Sequence, residues 1–352
     1  MTDAFAFPLS PDDARSLVRS ALALDADPVA LRLDRAVLRV PSGAASPVSG
    51  TPCVYAIGAF DGVHVGHGAL LERAAADAAE RGAPCLAATF DPDPMDVVAP
   101  DVPAQRLLSC EDRARHLLAL GADGVVSFRF DDALRRTTCE GFCLDVLPSA
   151  FPVASIHVGR DFHMGSDRAG DVAAMERLGR AHGFDVRPEE LVGALGERVS
   201  ATRVRRLLAA GELDEARALL GRCHYVRGRV EHGRGEGTSF GFPTANVRCA
   251  RADRMPADGV YACYAVMGEV AWPAAVNVGA PPTFGGSGEA FLEANLVGFD
   301  GDVYGEDMAV VFVRRLRPSR RFDSLDELRA TVLSNIAWVR DNLGASGVGV
   351  AR

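Results

Sequence analysis

The sequence predicts an α/β domain built on a parallel sheet, followed by a small antiparallel β-barrel with a C-terminal helix. Three observations carry that expectation. Between Cys53 and about residue 205, short apolar runs alternate with helical patterns, the rhythm of successive βαβ units. From Tyr225 onward the pattern changes to strands and turns at the spacing of a small barrel. Ser324, with Glu327 three residues on, forms a capping box ahead of a last helical stretch that ends near Gly344. A chain of 352 residues also exceeds one ordinary core. The expected division is an N-terminal extension and linker over 1–51, domains over 52–210 and 222–344, and a flexible tail over 345–352.

In chain order, Asp12–Leu24 suits a short helix, and Pro41–Pro52 reads as a Pro/Ser/Gly/Ala linker. The apolar runs Cys53–Ala59, Cys85–Phe90, Gly124–Phe128 and Val153–Val158 suit buried strands, and Ala69–Arg81, Cys110–Leu120, Glu140–Leu147 and Val172–His182 carry helical spacing. Ser200 can cap a helix to Ala210 that Gly211 ends, and Leu213–Leu220 continues as a second helical stretch. Tyr225–Glu231, Val260–Met267, Val270–Val276, Phe291–Phe299 and Met308–Leu316 read as the barrel strands.

Composition excludes several functions. Hydrophobic residues make up 48% and charged residues 24%, the profile of a globular chain, and the formal net charge is −9. That balance argues against a nucleic-acid or acidic-membrane binder. All 38 basic residues are arginine. Without lysine there is no P-loop cation, no protein-kinase strand lysine and no Schiff-base amine. The eight cysteines show no CxxC pair and read as buried free thiols, although Cys139 and Cys143 share a helical face. Acids at Asp3, Asp12 and Asp13 speak against a secretory leader, and the uncharged Val270–Gly288 stretch is broken by prolines and glycines. A cytoplasmic protein with no membrane partner is expected.

The first strand is followed by Gly58-Ala59-Phe60-Asp61-Gly62-Val63-His64-Val65-Gly66-His67-Gly68 and then at once by a helix. Glycines let backbone approach a phosphate, a helix start presents free N–H groups, and two imidazoles can donate to phosphate oxygens. The alternative that His64 and His67 only cap and pack is the weaker reading, and the dinucleotide fingerprint GxGxxG is not matched. Val199-Ser200-Ala201-Thr202-Arg203-Val204-Arg205 again sets hydroxyls and arginines at a helix start, a pattern that suits polyphosphate but by itself better suits an ordinary capped basic helix. Val158-Gly159-Arg160-Asp161-Phe162-His163-Met164-Gly165 follows a strand, where open parallel sheets bind ligands.

Taken together, these segments resemble bacterial bifunctional riboflavin kinase/FMN adenylyltransferases. Gly58–His67 looks like the HxGH signature of nucleotidylyltransferases, and Phe90-Asp91-Pro92-Asp93-Pro94, Val158–Gly165 and Val199–Arg205 follow in the family's order. The likeness covers about 52–343 and implies a Rossmann-like nucleotidylyltransferase domain in which FMN phosphate attacks the α-phosphorus of ATP. It makes His64 and His67 the groups that stabilise growing charge, and Ser200, Thr202 and Arg205 the holders of the outer phosphates. It also assigns Gly58, Phe60, Asp61, Gly62, Gly66 and Asp161 to nucleotide and flavin binding. Where the family's F-D-P-H-P has histidine this chain has Asp93, a carboxylate that cannot donate to phosphate.

In the second half, Gly233-Arg234-Gly235-Glu236-Gly237-Thr238-Ser239-Phe240-Gly241-Phe242-Pro243-Thr244-Ala245-Asn246 offers glycines and the neutral oxygens of Thr244 and Asn246. That suits Mg²⁺ with ATP, and equally a plain glycine-rich hairpin loop. Glu293, on a strand whose Leu292, Ala294 and Leu296 form the opposite face, would by itself be a solvated glutamate. This half resembles a riboflavin kinase through G-F-P-T-A-N, Asp258-Gly259-Val260-Tyr261, Asn277-Val278-Gly279, Pro282-Thr283-Phe284, Leu292-Glu293 and Asp302-Val303-Tyr304-Gly305. The resemblance implies Mg-ATP on Thr244 and Asn246, with Gly237, Gly241 and Pro243 in the nucleotide loop. Glu293 becomes the general base on riboflavin.

Departures cluster here. Thr238 and Pro281 stand where the family carries arginines, the L-E-x-H-L strand has Asn295 for histidine, and Gly298 precedes Phe299 where the family has aspartate. The expected function is FAD synthesis from riboflavin, FMN and ATP, both steps using Mg²⁺. The alternatives are a single-activity FMN adenylyltransferase with a degenerate kinase domain, and a non-catalytic flavin-binding regulator.

Overall fold

The computed structural model describes residues 5–44, 50–102, 105–190, 192–232, 242–279 and 291–351. The chain divides into two compact units: Ala23–Ala104 with Leu108–Ser200, and Met1–Leu22 with Gln105–Leu107 and Ala201–Arg352.

The first unit is a seven-stranded sheet of β1 (Pro28–Arg32), β2 (Ala36–Pro41), β3 (Cys53–Ile57), β4 (Cys85–Asp91), β5 (Gly124–Arg129), β6 (Val153–Gly159) and β7 (Asp185–Glu189). Its order is β1-β2-β5-β4-β3-β6-β7. The strands from β3 to β7 run parallel, and the β1–β2 hairpin joins β5 antiparallel. Every residue of β3 is buried, as covering both sheet faces requires. Strand order reverses between β3 and β6, so the crevice at their carboxyl ends is the switch point where such sheets bind ligands. The Gly58–His67 and Gly159–Gly165 segments both start there.

The expected helices form at Val65–Arg81, Cys110–Ala119 and Val172–His182. The one expected at Glu140–Leu147 is divided into an α-turn at Cys139–Gly141, a π-turn at Phe142–Val146 and a 3₁₀ turn at Leu147–Ser149, in whose first positions Pro148 stands without an N–H to continue the preceding winding. Residues 28–41, expected within an N-terminal extension, are instead part of the sheet. Ala36, Leu38 and Val40 alternate inward along β2 and join the core.

The second unit holds β8 (Tyr225–Glu231), β9 (Ala245–Cys249), β10 (Gly259–Met267), β11 (Val270–Val278), β12 (Phe291–Leu296), β13 (Asp307–Pro318) and β14 (Val348–Gly349). Six of them close as β10-β13-β8-β9-β12-β11 with β11 pairing back onto β10, a closed antiparallel barrel. The last helix, Leu325–Leu343, starts as expected: the Ser324 hydroxyl accepts from the Glu327 N–H at 3.1 Å. The helices Ala201–Ala210 and Leu213–Leu220 belong to this unit, and so does the Pro11–Leu22 helix.

Residues 345–351, expected as a flexible tail, are tied down. β14 adds to β11 at Val270 and Ala271, and Val350 is buried. Arg15 donates to the Gly349 carbonyl at 2.9 Å, and Arg19 donates to the carbonyls of Val350 and Ala351 at 2.6 Å each. Small apolar side chains at the chain end find a strand edge to cover, and two arginines satisfy the carbonyls left over.

Candidate active sites

The helix after β3 begins at Val65, four residues before the expected start, which makes His64 its N-cap and places His67 in the first turn. The His64 Nδ1 accepts the His67 backbone N–H at 3.3 Å, and the two imidazoles stack 3.6 Å apart at 10°. A Nδ1 that accepts leaves the ring proton on Nε2, so His64 is a donor at its outer nitrogen. The Phe60 and His67 rings meet in a T-shaped pair, centroids 5.1 Å apart at 75°. Phe60 and Val63 adopt φ of 52° and 39°, between which Gly62 sits at 78°. Positive φ at a β-branched residue is strained backbone, held here because the surroundings fix the turn.

Those surroundings were not legible as a motif. Arg113, 2% exposed, reaches from its helix under the turn. Its Nη1 donates to the Ala59 carbonyl at 2.7 Å, to Thr89 Oγ1 at 3.0 Å and to the Phe90 carbonyl at 3.2 Å. One guanidinium thus ties the ends of β3 and β4 together. Asp61 is buried and accepts the Leu108 N–H at 3.3 Å, so it anchors the turn from within. Phe60 is likewise sealed in the core rather than open to a ligand.

The other first-half segments divide between the units. Asp161, just past β6, pairs with Arg198 at 2.6 Å. The Val199 N–H bonds the Val192 carbonyl, and a Cβ on Gly66 would lie 3.9 Å from the Val192 side chain. The segment leading to Ser200 therefore comes beside the histidine turn. Thr202 and Arg205 stand on the Ala201–Ala210 helix of the second unit, where Arg205 donates to the Gln105 carbonyl at 2.7 Å. Asp93, in place of the family's histidine, accepts the Met95 N–H at 3.0 Å and caps the short Pro94–Val98 helix.

On the barrel, Asn246 of β9 lies opposite Glu293 of β12, and Glu293 lies opposite Asn277 of β11. Directly paired residues of antiparallel strands share a face, so the three form a row. Their neighbours Leu292, Ala294, Val276 and Val247 point inward and are buried, while Glu293 and Asn277 are exposed. Thr244, just ahead of β9, is half-buried. The Asn295 amide, itself buried, donates to the Pro243 carbonyl at 2.8 Å. Gly237, Thr238, Gly241 and Pro281 lie outside the described residues.

The cysteines are free thiols. Burial pushes Cys53, Cys85 and Cys249 up to about 12 and Cys223 up to about 11, which suits inert packing.

A doubly wound sheet with paired imidazoles at its switch point, followed by a closed barrel that displays an Asn–Glu–Asn row, defines a two-domain nucleotide-handling transferase. Comparison with known proteins narrows it. Residues 47–203 match the family model described as FAD synthetase, and residues 220–343 match that described as riboflavin kinase. The chain belongs to the bifunctional riboflavin kinase/FMN adenylyltransferase family. It is 38% identical over 288 residues to the protein of that name from Pseudomonas fluorescens, covering 82% of this chain and 92% of the relative. To the Escherichia coli K12 protein it is 36% identical over 293 residues, covering 83% and 93%. A crystal structure named as a macrolide-efflux protein from Streptococcus pneumoniae is similar at a TM-score of 0.74 and 28% identity, over 85% of this chain and 96% of that one. Among the described residues no helix is long and apolar enough to cross a membrane.

Proposed function

We propose that this chain makes FAD in two steps: riboflavin and ATP give FMN and ADP on the barrel, and FMN and ATP give FAD and pyrophosphate on the parallel-sheet unit. The observation that carries the reading is the stacked His64–His67 pair at the carboxyl end of β3, beside the sheet's switch point. In the second step an FMN phosphate oxygen attacks the α-phosphorus of ATP and the bond to the bridging oxygen breaks. No covalent nucleophile is needed. The His64 Nε2–H, fixed by the bond at Nδ1, faces charge that grows on the transferring phosphorus and the leaving pyrophosphate. Ser200, at the end of the segment beside this turn, is the hydroxyl this reading assigns to the outer phosphates.

In the first step Glu293 takes the proton of the riboflavin 5′-hydroxyl as its oxygen attacks the γ-phosphorus, and ADP leaves. The register with Asn246 supports this, because it sets the base on the same face as a metal-holding amide. Thr244 and Asn246 offer hard, neutral oxygens of the kind Mg²⁺ accepts alongside phosphate oxygens and water, so the residues present fit the ion. When bound, Mg²⁺ would neutralise charge on the transferred phosphoryl group. The reading places the protein in the cytoplasm, where ATP and riboflavin meet.

The test is chromatography of flavins after incubation with riboflavin, ATP and magnesium. Formation of both FMN and FAD supports the reading. FAD from supplied FMN, with none from riboflavin, would mark a decayed barrel, and flavin binding without turnover would mark a regulator. Glu293→Gln is expected to stop FMN formation while sparing FAD formation from FMN, and His64→Ala with His67→Ala to do the reverse. Loss of both activities from either folded variant would refute this division.

A further inference from the structure

The turn ahead of β9 is held by one side chain from the neighbouring strand. β9 pairs with β12 from Ala245 opposite Ala294 onward, and Pro243 lies just outside that ladder. Proline has no N–H to give to a sheet, and Pro243 itself is exposed, so nothing in the ladder fixes the backbone at this point. Asn295 fixes it from β12: its Nδ2 donates to the Pro243 oxygen at 2.8 Å, and Asn295 as a residue is 9% exposed. Only the amide NH₂ can satisfy a carbonyl, so the orientation of this amide follows from its partner.

Asn295 stands two residues beyond Glu293 on the same strand. One strand therefore presents the base and clamps the backbone immediately before Thr244. We infer that Asn295 is a positioning residue for the riboflavin-kinase step, holding the Pro243–Asn246 turn at a fixed offset from Glu293 without touching substrate. This rests on the reading of Thr244, Asn246 and Glu293 as the kinase site. It also recasts a departure from the family pattern: the asparagine in place of histidine keeps an N–H donor at this position.

The clamp's loss should appear in Mg-ATP binding. A freed turn must be ordered again each time the nucleotide binds, which raises KM; a merely structural residue would lower the amount of active barrel and hence kcat. The experiment uses the full chain, with initial rates of FMN formation at varied Mg-ATP. FMN adenylylation in the same sample serves as internal control, and tryptophan fluorescence monitors barrel folding. Asn295→Leu and the isosteric Asn295→Asp, which sets an acceptor against the carbonyl, are each expected to raise the KM for Mg-ATP about five- to tenfold, the worth of one hydrogen bond. FAD formation from FMN stays unchanged, and Asn295→His restores most of the loss. A folded Asn295→Asp protein with the parent KM would overturn the inference. Glu293→Gln is run alongside: if it leaves FMN formation intact, the kinase-site reading fails, which is distinguishable from failure of Asn295 alone.

Discussion

At Gly66 a methyl group would sit 3.2 Å from both Cε1 and Nδ1 of the His64 ring. That is closer than side chains normally approach, so the glycine between the two histidines is a space requirement of their stack. Gly66→Ala is expected to push the His64 ring a few tenths of an ångström off His67 and lower kcat/KM for FAD formation about tenfold, read as pyrophosphate release, with riboflavin phosphorylation unchanged. An unaltered rate would mean that the stack is not used. A second residue, His224, gives a pH signature. Burial pushes its imidazole down to about 4, the nearby Arg222 and Arg254 charges act in the same direction, and its bond to the Arg254 carbonyl opposes them. Between the ordinary histidine value near 6.5 and about 4, the unfolded chain binds a proton that the folded chain refuses, so stability falls as pH drops through that window. The loss approaches about 3 kcal/mol below pH 4. Both tryptophans, Trp272 and Trp338, lie in the barrel unit, so their fluorescence follows this unfolding. His224→Gln should flatten the slope between pH 6.5 and 4; a wild-type barrel equally stable across that window would contradict the assignment. His64, His67 and Gly66 were legible because spacing within eleven residues carries the chemistry. Arg113 was not, because its partners Ala59 and Phe90 lie 54 and 23 residues away, and contacts at such range leave no local pattern.

The Val65–Arg81 helix owes its placement on the sheet to more than its apolar face. His157, buried on β6, puts Nε2 3.0 Å from Asp77 of that helix and Nδ1 2.8 Å from Glu189 of β7. Arg73 and Arg81 complete the chain at 2.9 Å to Glu189 and Asp77, and Arg81 also reaches Asp185. Burial raises the Asp77 carboxyl, but hydrogen bonds from His157 and Arg81 outweigh it and bring the group to about 2. The network fastens the helix that starts with His64 to the strand that ends at Gly159. His157→Leu leaves two partly buried carboxylates without the ring between them, and is expected to destabilise the parallel-sheet unit by about 3 kcal/mol. The check is amide hydrogen exchange in β6 and the helix, which should quicken there and not in the barrel. Elements of this kind were legible where periodicity was long and unbroken: β3 to β6 and the helices Cys110–Ala119 and Val172–His182 follow their expected ranges closely, while the Val65–Arg81 helix starts one turn early. β7 was missed because it is a five-residue edge strand containing Pro188, and β1–β2 because the linker composition beginning at Pro41 masked the alternation before it.

Across the whole molecule, the barrel unit is assembled from both ends of the chain, with the parallel-sheet unit inserted between residues 22 and 201 apart from the short Gln105–Leu107 stretch. This could not be read from local pattern, since the Pro11–Leu22 helix carries no sign of which core it joins. The structure settles it through Ala14, Val18, Ala21 and Leu22, all buried, and through Leu9, whose N–H bonds the Asn342 carbonyl at 2.8 Å. Phe7 packs edge-on against Trp338 at 5.3 Å. Removing residues 1–22 therefore deletes part of the barrel's packing. Burial of one valine and one leucine alone is worth about 3 kcal/mol or more, which corresponds to a fall of about 10 °C in the barrel's fluorescence-detected midpoint. FAD formation from supplied FMN should persist at temperatures below that midpoint. Deleting 345–352 should lower the same transition, because Arg15 and Arg19 then lose the carbonyls they bind. Since each deletion removes the other's partner, the two together should cost less than the sum of their separate effects. Full additivity would show that the two chain ends stabilise the barrel independently, against the hydrogen bonds that join them.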